Sequence, residues 1–277
     1  MTDIRKNNFI IEAQDFDLKE TLDCGQCFRW TENTDGSFDG VVRGYYAHVY
    51  QEGDQVFFDS NGSKEFWKDY FDFDRNYSEI KKHLTKDNVL KMAIEYAPGI
   101  HLLKQEFFEC LISFIISQCN NIPRIKKNIE LLCENFGKKK FFGDVEYYTF
   151  PAPQDIINED LSIIRVGYRL PYIICATRMI IDEVLSYESI LNLESEIARQ
   201  KLLEINGVGN KVADCILLFS LQKFDVFPSD TWIKKIMEKL YGLPPKAIKD
   251  YAQNNFFDFS GFAQQYLFFY AMNNKSI

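Results

Sequence analysis

The chain is 277 residues long, 46% hydrophobic and 16% aromatic, and carries a net charge of −8. Such a composition builds a globular protein with core enough for two or three subdomains, and it argues against a nucleic-acid binder that works by bulk positive charge. No apolar run approaches the ~20 residues that span a bilayer, so no membrane association is expected.

Taken in order, residues 1–95 read as β-rich. The stretches FIIEAQDFDL, CFRWTENTDGSFDGVVRGYYAHVYQ and QVFFDSNG are short β-prone runs, punctuated by the turn formers Thr34-Asp35-Gly36, Glu52-Gly53-Asp54 and Asn61-Gly62. They predict an antiparallel, twisted sheet, with the aromatic-rich segment YFDFDRNYSEIKKHL returning as a helix over one face. From residue 96 to 277 the apolar spacing becomes helical. Leu103, Phe107, Leu111 and Phe114 share a face, and Ile125, Ile129, Leu132 and Phe136 repeat the pattern after Pro123, a favoured first-turn residue. Pro171 opens a further helix, Trp232 to Leu240 forms another that Gly242 ends, and GFAQQYLFFYAM forms the last. The expected class is α+β: an N-terminal antiparallel sheet domain (1–95) ahead of an all-α domain (96–277).

Within that helical part, LLEINGVGNKVADCILL (202–218) reads as two helices joined by a tight glycine hairpin. Leu202, Leu203 and Ile205 form one apolar face and Val212, Cys215, Ile216 and Leu217 another, with Gly207 and Gly209 making the turn. Glycine tolerates positive φ and lets another backbone come close, so the hairpin offers bare N–H groups and a helix N-terminus to a phosphate. Local basic clusters would add to this: Arg124 with Lys126 and Lys127, Lys138 to Lys140, and Lys234 with Lys235. Lys211 lies in the first turn after the hairpin, and Asp230, in VFPSDTW, follows nineteen positions later. A lysine titrates near 10.4 and becomes nucleophilic only when burial and nearby positive potential favour the neutral amine. A first-turn position beside an apolar run supplies both influences. A neutral amine can attack the anomeric carbon of a nucleoside, displace the base and form a Schiff base, with Asp230 moving protons or stabilising charge on the sugar. Taken singly, a first-turn lysine is commonly solvated, and an Asp before Thr-Trp-Ile is commonly an N-cap.

The hairpin, the lysine just after it and Pro228-Ser229-Asp230 at this spacing resemble the helix-hairpin-helix glycosylase superfamily. CGQCFRW, CNNIPR, GYR at 167–169 and GFAQQYLF, spanning Cys24 to Phe268, narrow the resemblance to the 8-oxoguanine DNA glycosylase group. That resemblance implies a bifunctional DNA repair enzyme acting on duplex DNA that contains 8-oxoguanine, with Lys211 and Asp230 catalytic. It implies that the backbone carbonyl of Gly25 accepts the N7 hydrogen that guanine lacks, that Cys215 and Phe268 sandwich the base, and that Gln264 reads its Watson–Crick edge. Asn120, Asn121, Arg124, Tyr168 and Arg169 match the segments that fill the gap left by an extruded base, Tyr168 as wedge and the two arginines on the orphaned cytosine. Two positions depart from the family. Cys119 replaces the first of three asparagines, and a thiol is a poor hydrogen-bond partner, so discrimination for cytosine is expected to be loose. Trp232 stands where those members carry a histidine.

Seven cysteines with no signal peptide before them point to free thiols in a reducing compartment, cytoplasmic and nucleoid-associated in a prokaryote or nuclear in a eukaryote, and not to secretion. Cys24-x-x-Cys27 is a single pair and the chain has three histidines, so no metal is expected, nor any cofactor. No cysteine follows Cys215, which leaves no room for the four-cysteine iron–sulfur loop of some relatives. A monomer is the default expectation. The competing readings are a superfamily member acting on alkylated bases or oxidised pyrimidines, and a non-enzymatic module that keeps the hairpin for phosphate contacts.

Overall fold

The computed structural model describes residues 7–274. Strands β1 (Asn7–Glu12), β2 (Trp30–Glu32), β3 (Phe38–Val42), β4 (Tyr45–Glu52) and β5 (Gln55–Ser60) form one antiparallel sheet in the order β1-β5-β4-β3-β2. The strand period of two turns Val56, Phe58 and Ser60 of β5 inward together. Helices α1 (Leu18–Leu22) and α2 (Lys64–Tyr70) cover that face, burying Leu18, Leu22, Trp67 and Tyr70 against Trp30, Phe38, Val49 and Phe58.

The covering helix is thus not the one expected over residues 70–84. That stretch breaks at Phe71 to Asn76, where Asp72 adopts φ +53 and its carboxylate accepts from Arg75 and from the Tyr77 hydroxyl at 3.1 Å. Short polar side chains that bond their own backbone or near neighbours compete with helix, and Asn76 instead caps α3 (Tyr77–Leu84). Both α3 and α4 (Asn88–Tyr96) pack into the larger, helical core.

The rest of that core comes from α5 (Phe107–Ser117), α6 (Ile122–Phe136), α7 (Pro153–Ile156), α8 (Leu170–Ile181) and α9 (Tyr187–Leu191), followed by α10 (Ser195–Leu203), α11 (Asn210–Phe219), α12 (Thr231–Tyr241), α13 (Ile248–Asn255) and α14 (Ser260–Asn273). This half is mainly but not wholly helical. Strands β6 (Lys139–Phe142) and β7 (Val145–Tyr148) pair across the two-residue turn Gly143-Asp144. Phe142 and Tyr147 then bury against Val41 and Tyr46 on the outer face of the sheet, a contact that no local pattern announces.

The CGQC segment straddles the two cores: Cys24 and Phe28 join the helical one, Cys27 and Trp30 the other. Glutamines hold it there. The Gln26 side chain donates to the Thr21 and His101 carbonyls and accepts from Leu103 N–H, while Gln265 on α14 donates to the Cys24 carbonyl at 2.6 Å. All seven cysteines are free thiols.

Candidate active site

Helices α10 and α11 are the two arms of the hairpin. Leu202, Ile205 and Val208 are buried beneath it, and Val208 N–H donates to the Ile205 carbonyl at 3.0 Å to close the turn. Between the arms, Arg199 Nε donates to Asp214 Oδ1 at 2.6 Å. Gly207 sits at φ +86 with the Tyr172 ring against it, so a Cβ would meet both backbone strain and the ring. Gly209 differs: it has an ordinary φ of −99, a Cβ would meet nothing within 4 Å, and it caps α11 with no side chain over the first-turn N–H groups. The folded chain itself does not require glycine there.

That N-cap places Lys211 in the first turn of α11, partly buried, with its ammonium 4.9 Å from the Phe114 ring centroid and 3.5 Å from Ser117 Oγ. Asp230 is the N-cap of α12, its carboxylate accepting from Ile233 N–H at 2.9 Å, so the structural role that the sequence allows is real. It also faces the lysine. Burial raises the Asp230 carboxyl above the usual range, partly opposed by the Ile233 N–H and the Lys211 charge.

Both residues line one cavity of about 50 Å³ together with Cys24, Gly25, Phe114, Cys215, Phe219, Pro228, Gln264, Gln265 and Phe268. The fold therefore converges Lys211, Asp230, Gly25, Cys215, Gln264 and Phe268, from a loop and three helices, on one point. Burial pushes the Cys215 thiol up to about 11, so at neutral pH it is an uncharged, polarisable wall. Gln264 is 5% exposed and its Oε1 has no partner among the described residues, an expensive arrangement for a buried amide. Gly25, at φ +74, lies under Phe268, whose ring would come within 2.9 Å of a Cβ. A cavity of this size holds a few waters and no bicyclic base; Gly25, Lys211, Asp230 and Phe268 are its partly exposed walls.

The remaining expected residues gather outside the cavity at the α5–α6 turn. Asn120 donates to the Ile116 carbonyl and to Asn128, and Asn121 caps α6 by accepting from Arg124 N–H. Arg124 is exposed, and Tyr168 is 55% exposed with its ring 4.5 Å from the Arg169 guanidinium. Arg169 itself is buried and bonded to the carbonyls of Val166, Gln118 and Cys119. Several expected phosphate-binding lysines are likewise tied to protein: Lys126 to the Trp30 carbonyl, Lys127 to Glu130, and Lys139 to Glu146. Residues the sequence did not single out for the site are Phe114 and Ser117 on α5 and Gln265 on α14. Phe114 reads as one more apolar position of a helix face, and no local signal separates a core ring from one that faces the hairpin lysine.

A sheet domain backing a helical domain, with a hairpin-borne lysine and an aspartate facing it across a cavity, defines a DNA glycosylase of the helix-hairpin-helix superfamily. The family described as 8-oxoguanine DNA glycosylase, N-terminal domain, matches residues 8–111, and a probable N-glycosylase/DNA lyase of Methanothermobacter thermautotrophicus is 30% identical over 67% of this chain and 68% of its own length. Among solved structures, MBOgg1 in complex with a low-affinity DNA ligand superposes with a TM-score of 0.92 (41% identity, 97% of this chain and 98% of that one), and the Clostridium acetobutylicum 8-oxoguanine glycosylase/lyase, bound to duplex DNA with cytosine opposite 8-oxoguanine, with 0.91 (38% identity, 98% of each). The chain belongs to the 8-oxoguanine DNA glycosylase/AP lyase family.

Proposed function

We propose that the chain excises 8-oxoguanine from duplex DNA and then nicks the strand at the abasic site, with Lys211 as nucleophile. The observation that carries this reading is the buried, partnerless Gln264 Oε1 in the same cavity as Lys211 and Asp230. A polar group left unsatisfied at that depth is costly unless a ligand completes it, and the edge of a purine base does so.

The flipped base enters as Phe268 moves, and its faces lie against Phe268 and the neutral Cys215 thiol. The N7 hydrogen of 8-oxoguanine meets the Gly25 carbonyl. The flanking carbonyls of Cys24 and Gln26 are already occupied by Gln265 and Gln105, and no hydrogen bond reaches that of Gly25 among the described residues. Guanine presents an N7 acceptor there and is rejected by acceptor–acceptor contact. The Lys211 amine attacks C1′ as the bond to the base breaks; the carboxylate of Asp230 stabilises the positive charge on the sugar, and Schiff-base formation leads to β-elimination 3′ to the lesion. Hairpin amides at Gly209 hold a phosphate meanwhile. Opposite the lesion, discrimination for cytosine is loose, because Arg169 must leave three backbone carbonyls to reach the estranged base and Cys119 offers a poor partner. Trp232, 37% exposed with Lys235 4.8 Å from its ring centroid, presents a cation where the family's histidine would stand. The cavity is complete within one chain, which supports a monomer, acting wherever chromosomal DNA is held.

Borohydride reduction in the presence of a duplex with one 8-oxoguanine traps a covalent adduct for the wild type and none for Lys211→Gln. The variant still binds the lesion duplex, because the hairpin is untouched. Trapping by Lys211→Gln would remove Lys211 from this role.

A further inference from the structure

Lys211 lines two cavities. On one side lies the base pocket; on the other is a polar cleft of about 640 Å³ among α10, α11, α12 and α13, lined by Glu196, Arg199, Asp214, Lys234 and Lys249 among others. A lysine carries a strongly hydrated ammonium on a flexible four-carbon stem, so a wet, charged cleft competes with the pocket for its amine. Something must hold it on the pocket side.

Ser117, at the end of α5, is placed to do this. Its hydroxyl donates to the Phe114 carbonyl at 2.8 Å, which sets the direction of the O–H and leaves its lone pairs free to accept from Lys211 Nζ at 3.5 Å. One turn earlier on the same helix, Phe114 turns its ring toward the same nitrogen, 4.9 Å from the centroid, while also lining the base pocket. A 3.5 Å contact is long for a hydrogen bond, and contacts of this kind commonly tighten only when substrate is bound. The Cys215 thiol, one turn on along α11, also meets the Lys211 amine, so the amine's neighbours on this side are Ser117, Phe114 and Cys215.

We infer that Ser117 is a positioning residue for the nucleophile, holding the Lys211 amine out of the polar cleft and on the side of the base pocket. This rests on Lys211 being the nucleophile. It assigns Ser117 no proton transfer and no contact with the base.

The test is the rate of borohydride trapping on a duplex with a preformed abasic site, which bypasses base recognition. It is measured alongside affinity for a duplex bearing a tetrahydrofuran abasic analogue and alongside thermal stability. Ser117→Ala traps about tenfold more slowly, the worth of one positioning hydrogen bond, with affinity and Tm unchanged. Ser117→Cys, which fills the same space with a weak acceptor, is slowed similarly, and Ser117→Thr restores the rate. Trapping by Ser117→Ala and Ser117→Cys at the wild-type rate, while Lys211→Gln traps nothing, would overturn the inference and leave the nucleophile standing. So would a loss of rate that follows Tm and that threonine does not rescue. Trapping by Lys211→Gln would instead bring down the nucleophile reading and this inference with it.

Discussion

The carboxylate of Asp230 caps α12 through Ile233 N–H at 2.9 Å while facing Lys211 across the cavity, so most substitutions there change helix stability and rate together. Asparagine separates the two, because it caps a helix about as well as aspartate and carries no charge. Asp230→Asn therefore keeps the wild-type Tm and slows single-turnover excision by about a hundredfold, the scale of losing one preorganised electrostatic stabiliser. Asp230→Ala adds a stability loss of about 1 kcal/mol from the missing cap. A single-turnover rate in Asp230→Asn equal to wild type would leave the residue as a cap alone. The same separation of roles runs through neighbouring residues: Gln265 ties α14 to the Cys24 carbonyl, whereas Gln264, one position earlier, leaves its Oε1 unpaired among the described residues.

At the level of the element, the hairpin uses its two glycines for different ends. Gly207 is required by the fold, through positive φ and the ring of Tyr172, whereas nothing in the folded chain requires Gly209. Gly207→Ala is accordingly destabilised by more than 1 kcal/mol in denaturant unfolding, as expected where alanine is forced to φ > 0. Gly209→Ala unfolds as the wild type does but binds both lesion and undamaged duplex more weakly, about tenfold at low salt, because the methyl group stands between the phosphate and the α11 amides. A Gly209→Ala protein with wild-type affinity would take the phosphate off this turn. Elsewhere elements are joined by single side chains: Arg29 donates to the Tyr148 carbonyl of β7 at 2.5 Å and lies 3.9 Å from Glu109 of α5.

That Arg29–Glu109 joint links the sheet, the β6–β7 hairpin and the helical core, and it makes the stability of the whole molecule depend on pH. Burial raises the Glu109 carboxyl from 4.5 to about 7, with Glu106 adding to the rise and Arg29 and Arg43 opposing it. Cys27 and Tyr70 on the sheet side and Cys110 and Cys133 on the helical side also face it, all held neutral by burial. A raised folded-state value means that the folded chain binds this proton more tightly than the unfolded chain. The contribution is full below about pH 4.5 and is lost as pH rises through 7. Glu109→Gln removes the dependence: its stability relative to wild type improves between pH 5 and pH 8 by on the order of 2 kcal/mol, read from urea unfolding at the two values. Parallel pH profiles for the two proteins would show that Glu109 does not titrate in this range.

Much of the molecule is legible in the residues alone. Turn formers between β-prone runs mark the sheet, the 3.6 period marks α5, α6 and α14, and the spacing of the hairpin, Lys211 and Asp230 marks the family, because each signal is local and the backbone reads it within a few residues. The α2 cover, the β6–β7 hairpin in a half expected to be all helical, and the break at Phe71 to Asn76 were not legible. Each depends on what a side chain meets from far along the chain. The same holds within the site. Lys211 could be named from its hairpin, but that its amine lies by Ser117 and Phe114, that Gln264 Oε1 is left without a partner among the described residues, and that Arg169 is bonded to the Gln118 and Cys119 carbonyls follow only when α5, α8, α11 and α14 are packed together, since burial and hydrogen-bond satisfaction belong to the three-dimensional arrangement.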